Sequence, residues 1–124
     1  VGFGIGAFLV GVYDAKEDWF RTVAKIGTGL TDSEWKELQE KCRKIQIKLQ
    51  PKNYLVDKQM AVDAWVSPKI IVEIKADEIT KSPVHTAGLA LRFPRLEKFR
   101  NDKKAFDATT LTEVKKMYAS QEKK

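Results

Sequence analysis

The sequence predicts one mainly β domain: a small barrel of strands with one helix inserted between them and a second helix at the C-terminal end. Three observations carry that expectation. The chain has 124 residues, the size of a single domain, and such a chain buries about two thirds of the surface its unfolded form exposes. Hydrophobic residues make up 43% and charged residues 32%, a balance that supports a core and excludes a disordered tail. Hydrophobic periodicity alternates along the chain between two, the strand period, and 3.6, the helix period.

Val1 to Ile5 is laced with glycine and reads as a linker remnant entering the domain. Gly6 to Tyr13 (GAFLVGVY) has the apolar, aromatic composition of a buried strand. A short polar stretch, Asp14 to Asp18, leads into Trp19 to Gly27, where Phe20, Thr22, Ala24 and Ile26 alternate as the expected core face. The two segments make an antiparallel hairpin. Thr31 and Glu34 then stand three apart as a capping box, each side chain bonding the other's backbone N–H at a helix start. Trp35, Leu38, Cys42, Ile45 and Leu49 form one helical stripe, and Pro51, which cannot donate to the helix ladder, is the expected stop. Asn53 to Asp63 is polar and reads as loop. Trp65 to Ile79 carries Ile70, Val72 and Ile74 on one face as a third strand. Ser82-Pro83 breaks it, and Leu89 to Phe99 is the fourth, with Pro94 marking an edge or bulge. Thr110 and Glu113 make a second capping box ahead of a stripe of Leu111, Val114, Met117 and Tyr118. Gln121 to Lys124 is expected to fray, with 122–124 as the tail. No repeats or low-complexity stretches occur. This order of elements fits an OB-like barrel, and ferredoxin-like packing fits it as well.

Charge narrows the function. Lys and Arg total 23 against 17 Asp and Glu, a net +6 and a pI near 9.4. Such a field favours polyanions: nucleic acid or an acidic lipid surface. Between Arg92 and Lys104 six cations (Arg92, Arg95, Lys98, Arg100, Lys103, Lys104) meet only Glu97 and Asp102, a local net of +4. Phe93, Phe99 and Phe106 are interleaved with them, a combination that lets a surface grip phosphates while rings pack on sugars or bases. A single cysteine, Cys42, excludes an internal disulfide and reads as a core residue. One histidine, His85, leaves no His-cluster metal site; it reads as a turn histidine with a hydrogen-bonding role. No apolar run approaches the roughly 20 residues of a membrane helix and no signal pattern opens the chain, so an intracellular, soluble protein is expected. The first residue is Val1, which points to processing or to a piece of a longer chain.

Two glycine clusters remain. Gly2 to Gly6 is followed by no Gly-Lys-Ser/Thr and reads as a flexible lead-in. Gly27-Thr28-Gly29 closes a strand before a capped helix, where backbone N–H groups either bind phosphate oxygens or simply make the turn.

These residues together resemble the C-terminal OB-fold domain of ATP-dependent DNA ligases of the archaeal and eukaryotic replicative type. The resemblance rests on Gly6-Ala7-Phe8-Leu9, Val12-Tyr13-Asp14 and Lys25-Ile26-Gly27-Thr28-Gly29-Leu30-Thr31-Asp32. It continues in order through Trp65, Val72-Glu73-Ile74, Glu78-Ile79-Thr80, Ser82-Pro83-Val84-His85 and Leu91-Arg92-Phe93-Pro94-Arg95. Arg100-Asn101-Asp102-Lys103 resembles motif VI of the ligase and capping-enzyme superfamily, Arg-x-Asp-Lys. The likeness runs from about Gly6 to Gln121.

The resemblance implies a five-stranded Greek-key barrel, the OB-fold, as one domain over 1–124 within a larger multidomain ligase. It implies ATP and Mg²⁺ as cofactors of the full-length enzyme, neither held by this segment alone, and no metal ligand here. Arg100, Asp102 and Lys103 would be catalytic in lysine adenylylation, with Arg100 and Lys103 on the ATP phosphates. Lys25, Gly27, Thr28, Gly29, Arg92, Phe93, Arg95 and Lys98 would clamp nicked duplex DNA during phosphodiester bond formation in replication, repair and recombination. Expected partners are nicked DNA, the nucleotidyltransferase domain of the same chain and a sliding clamp reached through another domain, with no membrane. The compartment would be the cytoplasm in an archaeon or bacterium and the nucleus in a eukaryote. The family's nucleophile lies in a Lys-x-Asp-Gly motif that this sequence lacks, so the segment alone is expected to be inactive. The rival reading is a stand-alone OB-type nucleic-acid-binding module without chemistry.

Overall fold

The computed structural model describes residues 7–27, 29–60, 62 and 64–122. Strands β1 (Phe8–Asp14) and β2 (Trp19–Ile26) form the expected hairpin, with a bulge between Val10 and Gly11. Gly11 is required there, since a Cβ would lie 2.8 Å from the Arg21 carbonyl oxygen. The turn is tied by Asp14, whose carboxylate accepts from the Lys16 and Glu17 N–H groups and from Arg21 Nε at 2.8 Å. The expectation of one core face on β2 is corrected. Val23 is 3% exposed and Ala24 2%, so successive side chains are both buried, and Val23 is the extra residue of the bulge, with Ala24 facing Val10 and Thr22 facing Gly11. Val23 joins Val12, Ala87, Leu89 and Val114 in the main core, while Phe20 packs with Tyr13, Tyr54 and Phe106 on the other side.

Helix α1 (Asp32–Ile45) begins with the full Thr31–Glu34 box, both reciprocal bonds being present. It ends at Ile45, six residues before Pro51. Gln46–Ile47 leaves the helix as β3 to pair with β5 (Trp65–Val66), and Leu49, expected on the buried stripe, lies beyond the helix and is 79% exposed. The loop expected over Asn53–Asp63 contains β4 (Tyr54–Leu55), which runs parallel to β2, and a short 3₁₀ turn at Lys58–Met60. The cause is β2's unpaired edge: the Phe20 N–H donates to the Asn53 carbonyl at 2.6 Å.

The third and fourth predicted strands each divide. β6 (Val72–Lys75) and β7 (Glu78–Lys81) face β9 (Arg95–Phe99) and β8 (Leu89–Arg92) respectively. The register runs straight through the breaks: Lys75 faces Arg95 and, three residues on, Glu78 faces Arg92. The four strands are therefore one long antiparallel ribbon, bent where Ala76-Asp77 passes Phe93-Pro94. Proline cannot donate to a ladder and Phe93 has a left-handed φ of 55°, so the pairing breaks there and the ribbon turns a corner.

Helix α2 (Leu111–Glu122) packs Val114 into the core behind the Thr110–Glu113 box. The expectation that Gln121 frays is corrected: its amide accepts from the Ile79 N–H and donates to the Ile79 carbonyl, both at 2.7 Å, acting as one more strand partner for β7. Among the described residues the ladders β1-β2-β4, β3-β5, β6-β9 and β7-β8 do not close into a hydrogen-bonded ring. The gap between β2 and β8 is bridged by Thr22 N–H to Thr86 Oγ1 (2.9 Å) and Ala87 N–H to the Thr22 carbonyl (3.1 Å). No helix among them is long and apolar enough to cross a membrane.

Candidate triphosphate and nucleic-acid interface

Strand β9 carries a cationic group at each end. At its start, the corner brings together two distant parts of the chain. Gly29 adopts a φ of 89°, and a Cβ built on it would stand 3.0 Å from the Arg95 Cβ, so the turn after β2 lies against the head of β9. Phe93 projects from the corner, 63% exposed, with the Arg92 guanidinium 5.3 Å from its ring centroid. Arg95 Nη1 donates to the Phe93 carbonyl at 2.9 Å and to Asp77 at 3.0 Å. Arg92 pairs with Glu78 at 3.1 Å. Both ion pairs are well exposed, so each contributes about 0–1 kcal/mol and can yield to a stronger anion.

At the far end of β9, a bulge decides where the cations point. Ile74 faces Leu96 and Glu73 faces Lys98, leaving Glu97 unpaired between them. Without that extra residue Lys98 and Arg100 would follow the buried Leu96 inward; with it they share the outer face with Glu73. Arg100 Nε and Nη2 donate to the two Asp102 oxygens at 3.0 and 2.9 Å, and Nη1 donates to Glu73 at 3.1 Å. The Asp102 bond and the neighbouring carboxylates push the Arg100 pKa further up, and Arg100 in turn pulls Asp102 down to about 2. The pair is therefore charged throughout the neutral range. The Lys103 N–H donates to the Arg100 carbonyl at 3.2 Å, closing a tight turn, and among the described residues the Lys103 ammonium makes no ion pair.

The sequence-predicted residues thus separate into two groups. Gly29, Arg92, Phe93 and Arg95 gather at the corner; Arg100, Asp102 and Lys103 gather at the other end of β9. Between them lie five residues of strand, about 17 Å at the usual rise. Lys98 is exposed partway along, and Lys25 and Gly27 are exposed at the end of β2. Thr28 falls outside the described residues. Of the three interleaved rings only Phe93 joins the basic corner. Phe99 packs under Lys41, whose Nζ is 5.4 Å from the ring centroid, and Phe106 leans on Tyr13 at 5.4 Å. The run of cations is also less bare than its composition suggests, since Arg92, Arg95 and Arg100 all meet carboxylates from β6–β7 and the turn between them.

From the sequence, Asp77 and Glu78 read as solvated ion pairs beside Lys75 and Lys81, whereas their partners are Arg95 and Arg92; Glu73 as a partner of Arg100, and Lys41, were missed. From α1, Lys41 Nζ donates to Asn101 Oδ1 at 2.8 Å, docking the helix on the Arg100–Lys103 turn. The available signal was Glu73 inside a strand that had to run beside the basic one.

Residues 2–103 match the family described as the ATP dependent DNA ligase C terminal region, and the chain belongs to that family. Among its relatives are a probable DNA ligase of Dictyoglomus thermophilum, 49% identical over 98% of this chain, and the DNA ligase of Sulfurisphaera tokodaii, 43% identical over 94%. The chain spans about a fifth of the length of these curated relatives, 22% and 21% respectively. The ligase domain of M. tuberculosis LigD has the same fold, with a TM-score of 0.66 and 22% identity over 86% of this chain and 32% of that one.

Proposed function

We propose that this segment is the C-terminal OB domain of a full-length ATP-dependent DNA ligase and that it works from two faces. The observation that carries the reading is the placement of the two cationic groups at opposite ends of β9. A domain built this way can present Arg100 and Lys103 to a triphosphate in one pose and the Phe93 corner to a nicked duplex in another.

In the first pose, Arg100 and Lys103 contact the β- and γ-phosphates. As the lysine of the nucleotidyltransferase domain attacks the α-phosphate, negative charge grows on the departing pyrophosphate, and a fixed guanidinium and ammonium offset it. Asp102 keeps the Arg100 fork planar to the turn. Mg²⁺ would travel with the triphosphate; among the described residues no group of three acidic, His or Cys side chains is arranged to hold it, so its ligands would be phosphates and the other domain. In the second pose, Arg92, Arg95, Lys98 and Lys25 neutralise backbone phosphates, Gly27 and Gly29 offer N–H groups, and Phe93 presses into the minor groove.

The two half-reactions test the assignment. In the full-length ligase, Arg100→Ala or Lys103→Ala should slow self-adenylylation by about 10²–10³-fold, the loss seen when one transition-state charge contact is removed. Sealing of a nick that already carries AMP should change far less. Normal self-adenylylation in both variants, with impaired sealing, would mean that these cations hold DNA instead.

A further inference from the structure

Glu73 touches Arg100 from a different part of the chain than Asp102 does. Asp102 sits two residues from Arg100 on the same turn and moves with it. Glu73 belongs to β6, where ladder pairing with Lys98 holds it in the ribbon. Its Oε1 accepts from Arg100 Nη1 at 3.1 Å. Arg100 is the better covered of the two, with side-chain exposures of 26% for it and 43% for Glu73. Asp102 alone would let guanidinium and carboxylate swing together as one unit about the turn. The Glu73 bond is what refers the guanidinium to the sheet.

A guanidinium carries five N–H donors in one plane. Three are taken by Asp102 and Glu73. One on Nη1 and one on Nη2 therefore have no protein partner among the described residues, and the three bonds fix the plane in which those two lie. A phosphate needs such a fork held still, because orientation established in advance is what lowers the cost of the reacting geometry. The Glu97 bulge makes the arrangement possible, since it turns Arg100 to the Glu73 side of the ribbon.

We propose that Glu73 is a positioning residue for lysine adenylylation, bracing Arg100 against β6 so that its two remaining N–H donors meet the triphosphate. This rests on the reading of Arg100 as a triphosphate contact. The proposal has a sign opposite to simple electrostatics. A carboxylate beside the site repels phosphate, so removing its charge would by itself tighten ATP binding. Loss of a brace instead lowers the rate at saturating ATP.

The test is single-turnover self-adenylylation across ATP concentrations in the full-length ligase. The variants are Glu73→Ala, Glu73→Gln, Arg100→Ala and the Glu73→Ala/Arg100→Ala double. Glu73→Ala should lower the rate at saturating ATP by about tenfold, a typical coupling between residues in contact. Glu73→Gln keeps an acceptor oxygen and should restore the rate to within about threefold. The double variant should match Arg100→Ala alone. If Glu73→Ala lowers the melting temperature, Glu73→Asp supplies the same measurement in a folded protein, because its carboxylate falls one methylene short of Arg100. The proposal is overturned if Glu73→Ala changes only the apparent ATP affinity, or if its loss adds in full to that of Arg100→Ala. Normal adenylylation in Arg100→Ala would overturn the reading beneath it, an outcome distinct from either of these.

Discussion

Phe93 is where a packing role and a binding role make opposite forecasts. Its ring is 63% exposed at a backbone φ of 55°. With only about a third of the side chain covered, truncation to alanine should cost about 0.5–1 kcal/mol, a fraction of the 1.5–3 kcal/mol for a fully buried ring. A core phenylalanine would cost about 3–5 kcal/mol. In a chain of this size the difference is roughly 2–5 °C of melting temperature against about 10 °C or more. The left-handed backbone sharpens the test. A non-glycine residue pays about 1–2 kcal/mol for that conformation, so Phe93→Gly should be no less stable than Phe93→Ala despite its greater chain entropy. Binding should move the other way. An aromatic contact with nucleic acid contributes about 1–3 kcal/mol, so both variants should weaken binding to nicked duplex by about 5- to 150-fold at fixed salt. Thermal melts read the first quantity and fluorescence anisotropy titrations the second. A fall of 10 °C or more, or an unchanged Kd, would refute the assignment of Phe93 to a DNA-facing surface.

Two further outcomes follow from contacts outside the site. Gln121→Ala leaves the half-buried N–H and carbonyl of Ile79 without their partner and should cost about 1–2 kcal/mol, seen as a lower urea midpoint; an unchanged midpoint would show that the end of α2 is not fixed by that bond. Burial holds the His85 pKa below its usual value, and its Nδ1 lies 3.0 Å from Thr22 Oγ1. The unfolded chain then binds the proton more readily than the folded one. The contribution is complete above the unfolded value of about 6.5 and is lost as pH falls toward the folded one. The melting temperature should therefore drop between pH 7.5 and pH 5.5, and His85→Gln should flatten that slope; an equal slope in the variant would place its origin elsewhere.

The features read correctly in the sequence are those whose partners are close in the chain. Both capping boxes involve residues three apart, so Thr31 with Glu34 and Thr110 with Glu113 carry their own geometry wherever the helices dock. The β1–β2 hairpin needs only alternation and a short polar turn. The Phe93-Pro94 break is also local, because a missing N–H interrupts a ladder regardless of the partner strand. The candidate cations were visible for a different reason: six positive charges within 13 residues are a property of composition.

Where α1 ends, by contrast, depends on residues 20 positions away. Leu49 could have continued the helical stripe, but Gln46–Ile47 is captured by Val66 and Trp65. The same holds for Tyr54–Leu55, part of a three-residue apolar run too short to signal a strand until β2 offers it an edge. Which face of β2 meets the core could not be read from its alternation, since the unpaired Val23 shifts the phase partway along the strand. The site depended most on tertiary structure. Sequence alone placed Arg100, Asp102 and Lys103 in one turn, and the pairing of β6 with β9, one residue out of phase at Glu97, aimed Arg100 outward onto Glu73. Short-range bonds and composition belong to the chain as a string. Register, bulges and ion pairs between strands exist only after distant segments meet, because a strand's side-chain period of two lets a single extra residue reverse every direction beyond it.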